Sequence, residues 1–232
     1  KIVAVSITGS AQKGPLTKGS QITAFPLDET LTATGQSFPG TVIDNLGNFR
    51  INGNCSDPYL ELRADGYYYS EFYGTVSEAP LYLEALVSPN SSRVNLNLLT
   101  TIINPRVKKL ILDGASYDAA VSQAQNEFAT SMGVKVDPKI DFDELYDGPK
   151  PKYMTEALEN IDSTYFIGIV NDLSLAGEKS QDTLENITKS IDDKYSGMFV
   201  FACDVKPEAK LTRTIVANLT RAFNRIAKAN PV

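Results

Sequence analysis

The sequence predicts an α+β protein in two parts, an antiparallel β-sandwich over residues 1–98 followed by an all-α helical bundle of about five helices over residues 99–232. Three observations lead there. Up to Leu99, short alternating apolar runs recur about every ten residues between turn-forming stretches, the pattern of a sandwich. Beyond Leu99 the apolar period changes from two to about 3.6. At 232 residues the chain also exceeds the usual size of one domain.

IVAVSIT at residues 2–8 alternates well enough for a first strand, and the Gly- and Pro-containing AQKGPLTKGS reads as a loop before the strand QITAF at residues 21–25. A polar connection leads to TVI at residues 41–43. In DNLGNFRINGNCSDPYLELRADGYY, residues 44–68, one turn feeds Phe49 and Ile51, and a second feeds Tyr59, Leu60 and Leu62 before Gly66. YYSEFYG at 68–74, LYLEALV at 81–87 and VNLNLL at 94–99 complete the strand series.

For the first helix, Asn104-Pro105 offers an N-cap and first-turn proline, with Thr100 as an earlier, kinked start; Val107, Leu110 and Ile111 continue it to a stop near Gly114. Ser116 caps a second helix that buries Ala120, Ala124 and Phe128, and Gly133 follows it. Leu158, Ile161, Tyr165, Ile169 and Leu173 mark a third, and Leu184, Ile187, Ile191 and Tyr195 a fourth. In the last, from about Pro207 to Ala229, Leu211, Ile215, Leu219, Phe223 and Ile226 share one side. Lys206, Lys210, Arg213, Arg221, Arg225 and Lys228 gather on the other. That basic face suits an anionic membrane surface or an acidic partner, and equally a solvated face balancing acids elsewhere.

Composition excludes several chemistries. With 22 basic and 28 acidic residues the net charge is -6, contrary to what a nucleic-acid binder needs. No histidine is present, so triads built on histidine and imidazole metal ligation are ruled out. Two cysteines, Cys55 and Cys203, are too few for a four-thiolate zinc site; they could be bridged to tie the two parts together or remain separate thiols. No apolar run approaches the roughly 20 residues of a membrane-spanning helix, so no transmembrane segment is expected. The chain starts at Lys1 without an initiator Met and enters strand-like sequence at once, and a targeting segment removed upstream is the expectation.

GPLTKGSQI at Gly14–Ile22, DNLGNF at Asp44–Phe49 and YLELRADGYY at Tyr59–Tyr68 resemble successive signatures of the carboxypeptidase regulatory-like, transthyretin-like sandwich. In that family a TD-x-x-G-x-F turn precedes a core strand; Ile43 stands here in place of the usual Thr. AQKGPLTKGS together with LNLLTTIINPRVKKLILDGASYDAAVSQAQNEF at Leu96–Phe128 more closely resembles Gram-negative cell-envelope lipoproteins of uncharacterised function, which place such a transthyretin-like or Ig-like sandwich before a helical domain. The resemblance covers most of residues 9–130. It implies an exported accessory module of the bacterial outer membrane, cell surface or periplasm rather than an enzyme, with any lipid-anchoring Cys upstream of Lys1.

The leading functional expectation is therefore a non-catalytic module for binding or adhesion, its partner a glycan or an envelope protein. Tyr67, Tyr69 and Tyr73 are candidate stacking platforms for sugar rings, while alternation turns Tyr68 and Phe72 the other way. Asp137, Asp141, Asp143 and Asp147, with Glu144, form an acidic loop able to supply oxygen ligands to Ca²⁺, although the spacing departs from the EF-hand loop; a solvated loop is the plainer reading, and no other cofactor is implied. Two alternatives remain. One is a glycoside hydrolase using paired carboxylates such as Asp44 and Asp65, or acids of that loop. The other is a structural assembly subunit that pairs through exposed strand edges.

Overall fold

The computed structural model describes residues 2–70, 75–132, 181–182 and 184–185. Among these residues, seven strands and two helices follow in chain order: β1 (Val3–Gln12), β2 (Gln21–Leu27), β3 (Phe38–Val42), β4 (Asn48–Cys55), β5 (Tyr59–Gly66), β6 (Leu81–Val87), β7 (Leu96–Asn97), α1 (Leu98–Leu112) and α2 (Tyr117–Met132). Gln181, Asp182, Leu184 and Glu185 are also helical. The fold class is α+β.

The strands form one sheet in the order β6-β5-β2-β3-β4-β1-β7. Every neighbouring pair is antiparallel except the last, where β7 runs parallel to β1 through Ala11↔Leu96 and Gln12↔Asn97. This corrects the expectation of a purely antiparallel sheet. After β6 the chain does not return by a hairpin; it crosses to the far edge and reaches β1 in its own direction. A second correction concerns the start of YYSEFYG, where Tyr68 and Tyr69 form isolated bridges to Leu16 and Val76; residues 71–74 of that expected strand lie outside the described residues.

Alternation sets the core. Leu60, Leu62 and Ala64 of β5 face inward with Leu83 and Ala85 of β6, Ile22 and Ala24 of β2, Phe49 and Ile51 of β4, and Val5 and Ile7 of β1. The sheet curls until β7 packs against β5 and β6 as well as beside β1. The same apolar cluster includes Ile102, Ile103 and Val107 of α1, Ala120, Ala124 and Phe128 of α2, and Leu184. The period changes at Asn97, but the core continues across it. Burying a Leu or Ile contributes about 1.5–3 kcal/mol, so the two helices are stabilised mainly by the sheet beneath them.

The turn between β3 and β4 is built by Asp44. Its Oδ1 accepts from the amides of Leu46 (3.0 Å) and Asn48 (3.1 Å), and its Oδ2 from Asn48 Nδ2 (2.8 Å). Gly47 has φ +81 and its carbonyl accepts from the amide of Ala11; an added Cβ at Gly47 would lie 2.4 Å from the Ala11 oxygen. Only glycine meets both demands.

α1 begins earlier than Asn104. Asn97 is its N-cap in a reciprocal capping box: Asn97 Oδ1 accepts from the Thr100 amide (2.9 Å), and Thr100 Oγ1 accepts from the Asn97 amide (3.0 Å). Pro105 is consequently interior, where the missing N–H leaves the Thr101 carbonyl without its helical partner, a defect of about 3 kcal/mol. The C-terminus closes as a Schellman motif, Ala115 N donating to Leu110 O and Gly114 N to Ile111 O, so the stop near Gly114 is as expected. Ser116 caps α2 through Ala119 N and Ala120 N. Arg106, almost wholly buried, then clamps α1 to α2 by a bidentate pair with Glu127 (2.7 and 2.8 Å). Burial raises the Glu127 carboxyl, but the Arg106 and Gln123 hydrogen bonds and the Arg106 charge outweigh it and hold the group below its ordinary value.

Candidate functional site

Where the chain leaves β6 for β7, it frames a cleft of about 210 Å³. One wall is the segment at 91–95, which runs beside β1: Thr8 N donates to Ser92 O (3.0 Å) and Val94 N to Thr8 O (2.9 Å). Gly9 permits this approach, since a Cβ there would lie 1.7 Å from the Val94 carbonyl oxygen. The end of β6 forms the floor, and α1 and α2 close the other sides.

Ala85, Val87, Val94, Ile103, Val107 and Val121 make the lining mainly aliphatic. Several of its polar groups already have structural partners. Asn104 Oδ1 accepts from Leu86 N (2.9 Å) and its Nδ2 donates to Glu61 (3.1 Å); the Tyr117 hydroxyl donates to Leu86 O (3.2 Å); Thr100 belongs to the capping box. Arg93 and Gln125 are different. Both line the cleft, Arg93 is exposed, and neither side chain has an ion pair or hydrogen bond among the described residues. The cleft thus offers apolar walls, the Arg93 cation, the Gln125 amide and the Ser91 hydroxyl, without a carboxylate or thiol among its lining residues.

A second cluster lies on the outer face of β5 and β6. Glu61, Arg63 and Glu84 share that face by register, Lys108 of α1 pairs with Glu61, and Arg63 lies 3.9 Å from Glu84 and 3.9 Å from the Tyr82 ring centroid. Burial and the neighbouring Glu61 raise the Glu84 carboxyl, opposed by Lys108 and Arg63, with Glu185 raising it further. A displaced acid beside a second acid is what a catalytic pair looks like. Here, however, the network joins the sheet to α1, and Glu61 holds Asn104 as well as Lys108.

The residues singled out from the sequence are dispersed. Tyr67 is 46% exposed, Tyr69 is half-buried, and Tyr68 between them is buried with the Lys13 ammonium 4.7 Å from its ring centroid. Tyr73 lies outside the described residues, as do Asp137, Asp141, Asp143 and Asp147, the basic set Lys210, Arg213, Arg221, Arg225 and Lys228, and Cys203. Cys55 is a buried thiol donating to the Asp57 carbonyl (3.6 Å), and burial pushes it above the ordinary cysteine value. Of the proposed carboxylate pair, Asp44 is occupied by its turn, with the Asn48 hydrogen bond foremost in lowering it, while burial raises Asp65. Among the described residues no three His, Cys, Asp or Glu side chains are grouped as a metal site, and no helix is long and apolar enough to cross a membrane. Arg93 was not distinguished in sequence, since a lone arginine before an apolar run carries no motif.

Comparison with protein-family models, curated proteins and solved structures gives no match, so the family resemblance rests on the motifs themselves.

The Glu84 network has a pH signature. Because the folded state raises this carboxyl, its contribution favours folding below the ordinary glutamate range and is lost as pH rises through the folded value. Glu84→Gln is expected to be more stable than wild type at pH 7 by up to about 1 kcal/mol, the partial exposure limiting the gain, and to match it near pH 4. Urea midpoints at the two pH values test this; a variant less stable at pH 7 would show that Arg63 and Lys108 dominate.

Proposed function

We propose that this protein is an exported, non-catalytic binding module of the bacterial cell envelope, with the cleft between β6, α1 and α2 as its ligand site. The observation that carries the reading is the composition of that cleft: mainly aliphatic walls, with Arg93, Gln125 and the Ser91 hydroxyl left to meet a ligand. Such a lining supports retention without turnover. The sheet, curled so that β7 meets β5 and β6, is taken as the transthyretin-like sandwich that the motifs resemble, and the helices as the opening of the helical domain that follows it.

An adhesion role through glycan stacking is a second reading, favoured by the exposure of Tyr67. Strand-edge assembly has less support, because the backbone donors at Tyr82, Glu84 and Leu86 along the β6 edge already have side-chain acceptors.

Small organic fragments, titrated into the chain and followed by amide chemical shifts, are expected to perturb residues around Leu86, Val94 and Val107. Val121→Phe, which fills the cleft, should abolish those shifts while leaving the fold intact. Shifts scattered over the surface, or unchanged in the variant, would remove the cleft as the site. Fractionation of cells expressing the native gene should place the protein with the envelope; a cytosolic product would overturn the export reading.

A further inference from the structure

We infer that the cleft selects a small organic anion, a monocarboxylate with an apolar body of about six carbons, its carboxylate held by Arg93. This rests on the binding-module reading and narrows the ligand of the same site. Volume sets the size: the cleft measures about 210 Å³, and an apolar cavity of about 150 Å³ already admits benzene. The aliphatic lining, drawn from β6, the 91–95 segment, α1 and α2, favours a hydrocarbon body over a sugar, whose hydroxyls would face Val87, Val107 and Val121 unpaired.

Charge sets the head group. Arg93 is the cation of the lining, exposed and without an ion-pair partner among the described residues. Its planar fork matches a carboxylate in two hydrogen bonds. The lining contains no acid, so a cationic ligand would find no counter-charge there. A single arginine also suits a monoanion better than a dianion, and the net charge of -6 disfavours polyanions over the surface as a whole. Gln125 supplies a neutral amide to the same ligand.

The test compares hexanoate, hexan-1-ol and hexylamine on the full chain, following amide shifts near Leu86 and Val107. Hexanoate should bind about fivefold more tightly than the alcohol, as expected of one partly exposed ion pair. The preference should weaken with added salt. Arg93→Gln should erase the difference between hexanoate and the alcohol, whereas Val121→Phe should block all three. Equal affinities, tighter binding of the amine, or a preference that survives Arg93→Gln would overturn the anion assignment and leave the binding module standing. Absence of saturable shifts with every ligand would overturn both.

Discussion

The outer edge of β6 is the seam on which the rest of the structure depends. An edge strand presents a row of unpaired backbone donors, and such rows invite aggregation or misregister. Here Tyr82 N donates to Gln181 Oε1 (2.7 Å), Glu84 N to Thr101 Oγ1 (3.0 Å) and Leu86 N to Asn104 Oδ1 (2.9 Å). Helical side chains take the place of a neighbouring strand. A helix rises about 4.5 Å between positions three apart, and strand residues two apart are separated by about 6.6 Å; a longer side chain at 104 than at 101 accommodates the difference. Each such bond contributes on the order of 1 kcal/mol net, and a buried amide left unpaired costs about 1–3 kcal/mol, so the seam holds α1 at one height and one rotation.

This constraint accounts for features that look unfavourable in isolation. Pro105 inside α1 forgoes a backbone bond, yet moving the helix start beyond it would release Thr101 and Asn104 from β6. Glu61 and Glu84 are crowded together because both lie under α1, and Lys108 and Arg63 offset their repulsion. The Arg106–Glu127 pair then fixes α2 against α1. The cleft is the space left over when two helices are fixed to a strand edge while the 91–95 segment is pressed onto Gly9. Its walls are therefore rigid elements, which suits a binding site that needs pre-formed shape.

What was legible in the sequence was local. Alternation located the strands that carry Ile51, Leu62 and Leu83, the turn residues Asp44 and Gly47 declared themselves, and Ala120, Ala124 and Phe128 marked the buried side of α2. Of the two α1 starts the sequence offered, the one at Thr100 lies within two residues of the observed Leu98, and the one at Asn104 was misplaced because Asn-Pro is a strong local cap signal, whereas the Asn104 side chain serves β6 and Glu61 instead. Tertiary contact overrode propensity there. The parallel β7 was equally hidden, since two residues carry no periodicity and their direction follows from a crossover. Arg93 and the cleft were invisible for a related reason: they arise from four segments meeting, and none of them bears a motif of its own.

If helical side chains complete the sheet, the edge amides of Glu84 and Leu86 must behave as core amides. Amide hydrogen exchange on the wild type and on Asn104→Ala tests this directly. Both amides should be protected in the wild type to the level of Leu62 and Leu83, and Leu86 should lose that protection in the variant while Leu62 keeps it. Rapid exchange at Glu84 and Leu86 in the wild type, as at an open edge, would contradict the account.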